Sequence, residues 1–229
     1  MNVEAPLRSR RRWLWIAVPG ALVLLAVMAF AILEPIQVLP RLRIGPGYSL
    51  IDQSAAPFTS EDVRGEVVLY SFTHAECGDA CTSMETTVRE VRNRLDEVDL
   101  GDVDMRFVTL TLDPANDTPE VLARQAERLG ADGDEWLLAT GDPDHMANVI
   151  RSGLRTWYKA DDDGSISFDP ALVLVDGWGV VRGEYRYQTL RPDADKIVRH
   201  LNILGDELRN AKGAASVAYE AAHFFLCYP

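Results

Sequence analysis

The chain has 229 residues, 47% hydrophobic and 25% charged, with a formal net charge of −12, which is room for one good-sized folded domain plus accessory segments. Within the first 33 residues Arg8, Arg10, Arg11 and Arg12 oppose only Glu4, so the remainder is more acidic still. Such a surface repels phosphate backbones, which excludes a nucleic-acid binder, and it suits a soluble face that meets a cationic or metal-carrying partner.

In chain order, the basic stretch 1–12 precedes WLWIAVPGALVLLAVMAFAIL, residues 13–33, which carries no charge. As a helix it would span about 30 Å, the thickness of a bilayer's hydrocarbon core. Trp13 and Trp15 stand at its edge, where indoles favour the headgroup region, and the arginines ahead of it predict a cytoplasmic N-terminus. A cleaved signal peptide with Ala29-Phe30-Ala31 as its small-residue site is the rival reading. The run is long for a signal's apolar region, which favours a single-pass cell-membrane anchor. SRRRWL also loosely resembles a twin-arginine export signal. Either way the remainder is expected outside the cytoplasm, where disulfides are permitted.

EPIQVLPRLRIGPGY, 34–48, holds three prolines and two glycines and reads as a linker, assigned to 34–46. The folded domain is expected over 47–210. VVLYSF, 67–72, and MRFVTLTL, 105–112, are continuous apolar runs of strand length. Between them, 81–98 carries Met84, Val88, Val91 and Leu95 at helical spacing. Thr118 predicts the N-cap of a further helix with Pro119 in its first position. WLLAT, 136–140, reads as a strand and 142–154 as a helix. ALVLVD, 171–176, and VVRGEYRY, 180–187, flank Gly177-Trp178-Gly179 as an antiparallel hairpin, and 191–210 is an amphipathic helix. An Ala-rich apolar tail, 211–229, closes the chain. This order predicts an α/β layered domain with a mixed sheet.

Two of the three cysteines, Cys77 and Cys81, fall between a strand and the start of a helix. Helix N-termini stabilise anions, so a thiolate there is favoured, while Glu76 and Asp79 oppose it and would attract a cation. Residues four apart on a helix have Cα atoms about 6 Å apart, within disulfide reach. So short a loop gains little from a structural staple, which makes the pair a reactive one. Cys77, nearer the helix start, is the expected nucleophile and Cys81 the resolving thiol.

VVLYSFTHAECGDAC resembles the strand-plus-Cys-x-x-x-Cys signature of the Sco/SenC family of thioredoxin-like proteins. LDPANDTPEVLARQ, 112–125, is similar to that family's second signature, and WLLATG, 136–141, to the segment that follows. The resemblance covers roughly residues 47–205. It implies a thioredoxin-like fold, a mixed central sheet flanked by helices, with one N-terminal transmembrane helix. It also implies copper bound by Cys77 and Cys81 with a distant histidine. The implied task is assembly of the copper centre of cytochrome c oxidase, with that oxidase's copper-centre subunit or another extracytoplasmic dithiol protein as partner.

The family's histidine falls, counted back from Asp176, on Phe168, which leaves soft Cu(I) held by two thiolates and disfavours Cu(II). Pro170 stands where thioredoxin-like oxidoreductases carry a cis-proline; the plain alternative is a proline at the start of a strand. His74 is expected to close a strand end, and His145 and His200 to be surface residues. His223 and Cys227 share one face of an apolar segment, suited to a soft metal or, with Phe224-Phe225-Leu226, to docking in a groove. Three functions follow: a copper chaperone, a copper-independent thiol–disulfide oxidoreductase, and a redox sensor using the same pair.

Overall fold

The computed structural model describes residues 8–33, 36–75, 77–161, 164–187, 193–212 and 214–225. The chain divides into Met1–Gln37 and Val38–Pro229. In the first unit Arg8–Leu33 forms one helix, α1, with Pro19 inside it. Its described apolar side chains face solvent, Trp15 and Ile16 at 76% and 77% exposure. Among the described residues, which omit much of α1's side chains, no helix is long and apolar enough to cross a membrane, so the structure does not show the expected anchor.

The second unit is built on an eight-stranded sheet in the order β1-β10-β9-β4-β5-β6-β2-β3. These are β1 (Arg43–Ile44), β2 (Ser49–Asp52), β3 (Pro57–Thr59), β4 (Val67–Thr73), β5 (Met105–Thr111), β6 (Trp136–Thr140), β9 (Ala171–Val175) and β10 (Val180–Arg186); β7 (Tyr158–Ala160) and β8 (Ile166–Phe168) pair apart. β4, β5 and β6 run parallel and the other pairings are antiparallel, so the sheet is mixed, as expected. β4 and β6 are buried at every position, which is why they read as unbroken apolar runs rather than alternating ones.

Helices α2 (Asp79–Arg92) and α3 (Pro119–Leu129) are the crossovers between the parallel strands, and α5 (Ala194–Arg209) packs beside α2. Helix α2 is shorter than the periodicity predicts: it stops at Arg92, with Asn93 as its C-cap residue, and Leu95–Glu97 forms a separate 3₁₀ turn. The predicted helix 142–154 is α4 (Pro143–Ala147) followed by a wider π-turn, Asn148–Gly153. The β9–β10 hairpin turns through Gly177-Trp178-Gly179, where the Asp176 carboxylate accepts from the Trp178 and Val180 amides at 3.0 Å and Gly179 takes φ +77°.

From Val38 on, the segment expected as a linker belongs to this fold. Val38 and Leu39 are fully buried and β1 extends the sheet edge against β10. The Ala-rich tail forms α6 (Ala214–Phe225), with Ala222 buried. His200 corrects a second expectation: it is buried, with Nδ1 2.9 Å from the Tyr185 hydroxyl.

Candidate functional site

β4 and β5 end level with one another, Thr73 beside Thr111. Past Thr73 the chain leaves the sheet through His74 and Ala75, and the His74 carbonyl accepts the Cys77 amide at 3.1 Å. Gly78 is the N-cap of α2, and Cys81 lies in its first turn. Cys77 and Cys81 are joined by a disulfide with Cα atoms 5.8 Å apart. Cys81 is 2% exposed, its sulfur 3.8 Å from the Phe72 carbonyl oxygen, whereas Cys77 is only partly buried. The Cys77 sulfur is thus the more accessible to an incoming thiolate, and attack there would displace the Cys81 sulfur, next to the α2 N-terminus, where negative charge is favoured. The pair lies where the spacing placed it, between a strand and the start of a helix. Glu76 lies outside the described residues.

Phe168, the last residue of β8, meets the buried His74 ring edge-on, with centroids 6.1 Å apart. The neighbouring Asp169 amide is held by the Trp157 carbonyl at 2.9 Å, and Trp157 itself is half exposed. Pro170 is trans: no cis peptide bond occurs among the described residues, which overturns the cis-proline expectation. It is a strand-start proline whose carbonyl accepts the Tyr187 amide at 3.0 Å, where the β9–β10 ladder begins.

Behind the loop lies a buried polar cluster that sequence reading did not single out. Thr111 Oγ1 donates to Asp117 Oδ2 at 2.5 Å, and the Ala75 amide donates to Asp117 Oδ1 at 3.3 Å. Gln125 Nε2 donates to Thr73 Oγ1 at 2.5 Å. Burial pushes the Asp117 carboxyl above its ordinary range, against the pull of the Thr111 and Ala75 donors. Both Asp117 and Gln125 lie in the 112–125 stretch, but nothing in it tells which residues they meet.

Among the described residues, no group of three or more His, Cys, Asp or Glu side chains is placed to hold a metal. The loop's donor set is two sulfurs once the disulfide is reduced. That set fits a soft, low-coordinate ion such as Cu(I) and does not fit Cu(II), which prefers nitrogen donors. The other histidines are engaged elsewhere: His145 Nε2 accepts the Ser49 amide at 3.3 Å, and His223 Nε2 lies 3.4 Å from a Glu207 carboxylate oxygen. Cys227 and Leu226 lie outside the described residues, as do the side chains of Phe224 and Phe225.

The SCO1/SenC family model matches residues 37–203. The chain belongs to the SCO1/SenC family. A Stutzerimonas stutzeri protein named as copper-binding is 30% identical over 183 residues, 77% of this chain and 87% of its own length. Copper-bound ScoI of Arabidopsis thaliana shares the fold at TM-score 0.59 and 20% identity, covering 69% of this chain and 98% of that one. BsSco, described as a Sco-family cytochrome c oxidase assembly protein with a disulfide switch, does so at TM-score 0.60 and 18% identity, covering 74% and 98%. In Sco terms, both signatures meet at one end of the sheet, and the place expected for a histidine holds Phe168 against His74.

Proposed function

We propose that this Sco protein is anchored in the cell membrane by residues 13–33 and carries Cu(I) on Cys77 and Cys81 outside the cytoplasm. It serves assembly of the copper centre of cytochrome c oxidase. The observation that carries this reading is the asymmetric cysteine pair at the end of β4, one sulfur presented and one buried, in a chain whose relative is named as copper-binding. The solvent-facing indoles and aliphatic side chains of α1 support the anchor, because such a surface is stable only in an apolar medium.

A second reading is favoured by Phe168. With a phenyl ring rather than an imidazole at position 168, the reduced dithiol acts on disulfides: Cys77 attacks a partner disulfide, Cys81 resolves the mixed disulfide, and the partner leaves with two thiols. The same pair could serve as a redox sensor, since its oxidation state alone is the signal.

Titrating Cu(I) and Cu(II) separately into the reduced chain against a chromophoric competitor tests the first reading. One equivalent of Cu(I) should bind, lost on Cys77→Ser or Cys81→Ser, and Cu(II) should bind weakly. Phe168→His should tighten Cu(II) by about tenfold or more, because it supplies the missing lone pair. Absence of competitive Cu(I) binding would leave the dithiol-reductant reading in its place.

A further inference from the structure

Asp117, in the turn between β5 and α3, is fully buried, and neither copper carriage nor disulfide exchange by the cysteine pair has a use for it. A buried carboxylate costs stability unless donors satisfy it, and an apolar side chain would fill the same space more cheaply. Asp117 has such donors on two elements. Thr111 Oγ1, at the end of β5, holds one oxygen at 2.5 Å, and the Ala75 amide donates to the other at 3.3 Å across 42 residues of sequence. Its own amide is fixed by the Asp113 carbonyl at 2.8 Å. Ala75 is solvent-exposed and two residues ahead of Cys77, yet its amide points inward to the carboxylate. Within the loop, the His74 carbonyl also accepts the Cys77 amide at 3.1 Å.

We infer that Asp117 is a positioning residue for the cysteine pair: held by Thr111, its carboxylate grips the Ala75 amide and sets where the loop presents Cys77 to Cys81 and to a partner. This deepens the proposed function and rests on its premise that the pair is redox-active. It gives Asp117-Thr118-Pro119 a task at a loop that sequence places far away. Burial that raises the Asp117 carboxyl accords with a group kept dry behind the loop.

The test equilibrates the reduced full chain, in detergent, with glutathione buffers. In this reaction glutathione disulfide is reduced to two glutathione thiols while Cys77 and Cys81 lose their two hydrogens and become a disulfide. Peptide mass spectrometry after acid quench and alkylation counts the bridge. Asp117→Ala should lower the equilibrium constant for bridge formation on the order of tenfold. Asp117→Asn, which keeps an acceptor oxygen for Ala75, should stay within about twofold of the unmodified chain. A purely structural role would lower the melting temperature and leave this constant unmoved, and that result overturns the inference. So does an Asn variant as impaired as the Ala variant. Should the Ala variant not fold, hydrogen exchange at the Ala75 amide of the unmodified chain decides, with strong protection expected and fast exchange in the disulfide form contradicting it. Failure of the proposed function itself shows separately, as no reversible Cys77–Cys81 bridge in the unmodified chain.

Discussion

His200 sits between α5 and β10, 4% exposed, with the Tyr185 hydroxyl 2.9 Å from its Nδ1. Burial, helped by Lys196 and Arg199, pushes its pKa from 6.5 down to about 4. The unfolded chain then binds more protons than the native one between these values. This contribution is whole above pH 6.5 and drains away as pH falls towards 4, by up to about 3 kcal/mol. Denaturant unfolding from pH 4 to 7 should show a shallower acid loss in His200→Gln than in the unmodified chain. The position was legible in principle, since His200 is in helical register with Ile197, Leu201 and Leu204, all buried. The pairing of Cys77 with Cys81 was legible because four-residue spacing on a helix puts two cysteines within disulfide reach. Asp117 was not, because its work is done through Thr111 and a loop amide that only the fold brings near.

At the scale of elements, Arg182 on β10 joins four parts of the domain. It donates to Asp176 at 3.0 Å and Glu207 of α5 at 2.5 Å, and to the Leu39 and Pro40 carbonyls of the chain entering the fold at 2.8 and 3.2 Å. Glu207 also accepts the Leu39 amide at 2.5 Å. Arg182→Met would leave two carboxylates buried without their cation, so we expect a loss of about 3–5 kcal/mol, read as a lower denaturant midpoint at unchanged slope. By contrast Arg41–Glu220, with side chains 49% and 60% exposed, should contribute under about 1 kcal/mol. Elements buried on both sides were visible as apolar runs, and β6 appears over the predicted residues. Short β1, β7 and β8, with two or three residues each, carry too little pattern to be read. β1 was hidden further by the prolines and glycines around it, which describe a turn-rich path but not the strand it borders.

For the whole molecule, the structure puts α1 in one unit and an acidic mixed-sheet domain in the other, and that domain begins at Val38 rather than at residue 47, where the sequence places it. The domain's active end is built where β4 and β5 stop and α2 begins, so the two signatures meet there although some 40 residues separate Ala75 from Asp117. What sequence alone could not supply was the partner's side of the exchange, since no complementary surface is encoded in a single chain. As proposed, Cys77 and Cys81 hand over copper. The most direct measurement mixes the Cu(I)-loaded chain with the reduced, metal-free copper-centre domain of the oxidase subunit and follows metal content after separation. Copper should move to the subunit domain, and Cys77→Ser and Cys81→Ser chains should move none. Copper retained on this chain, while the same dithiol readily reduces the oxidised subunit domain, would contradict it.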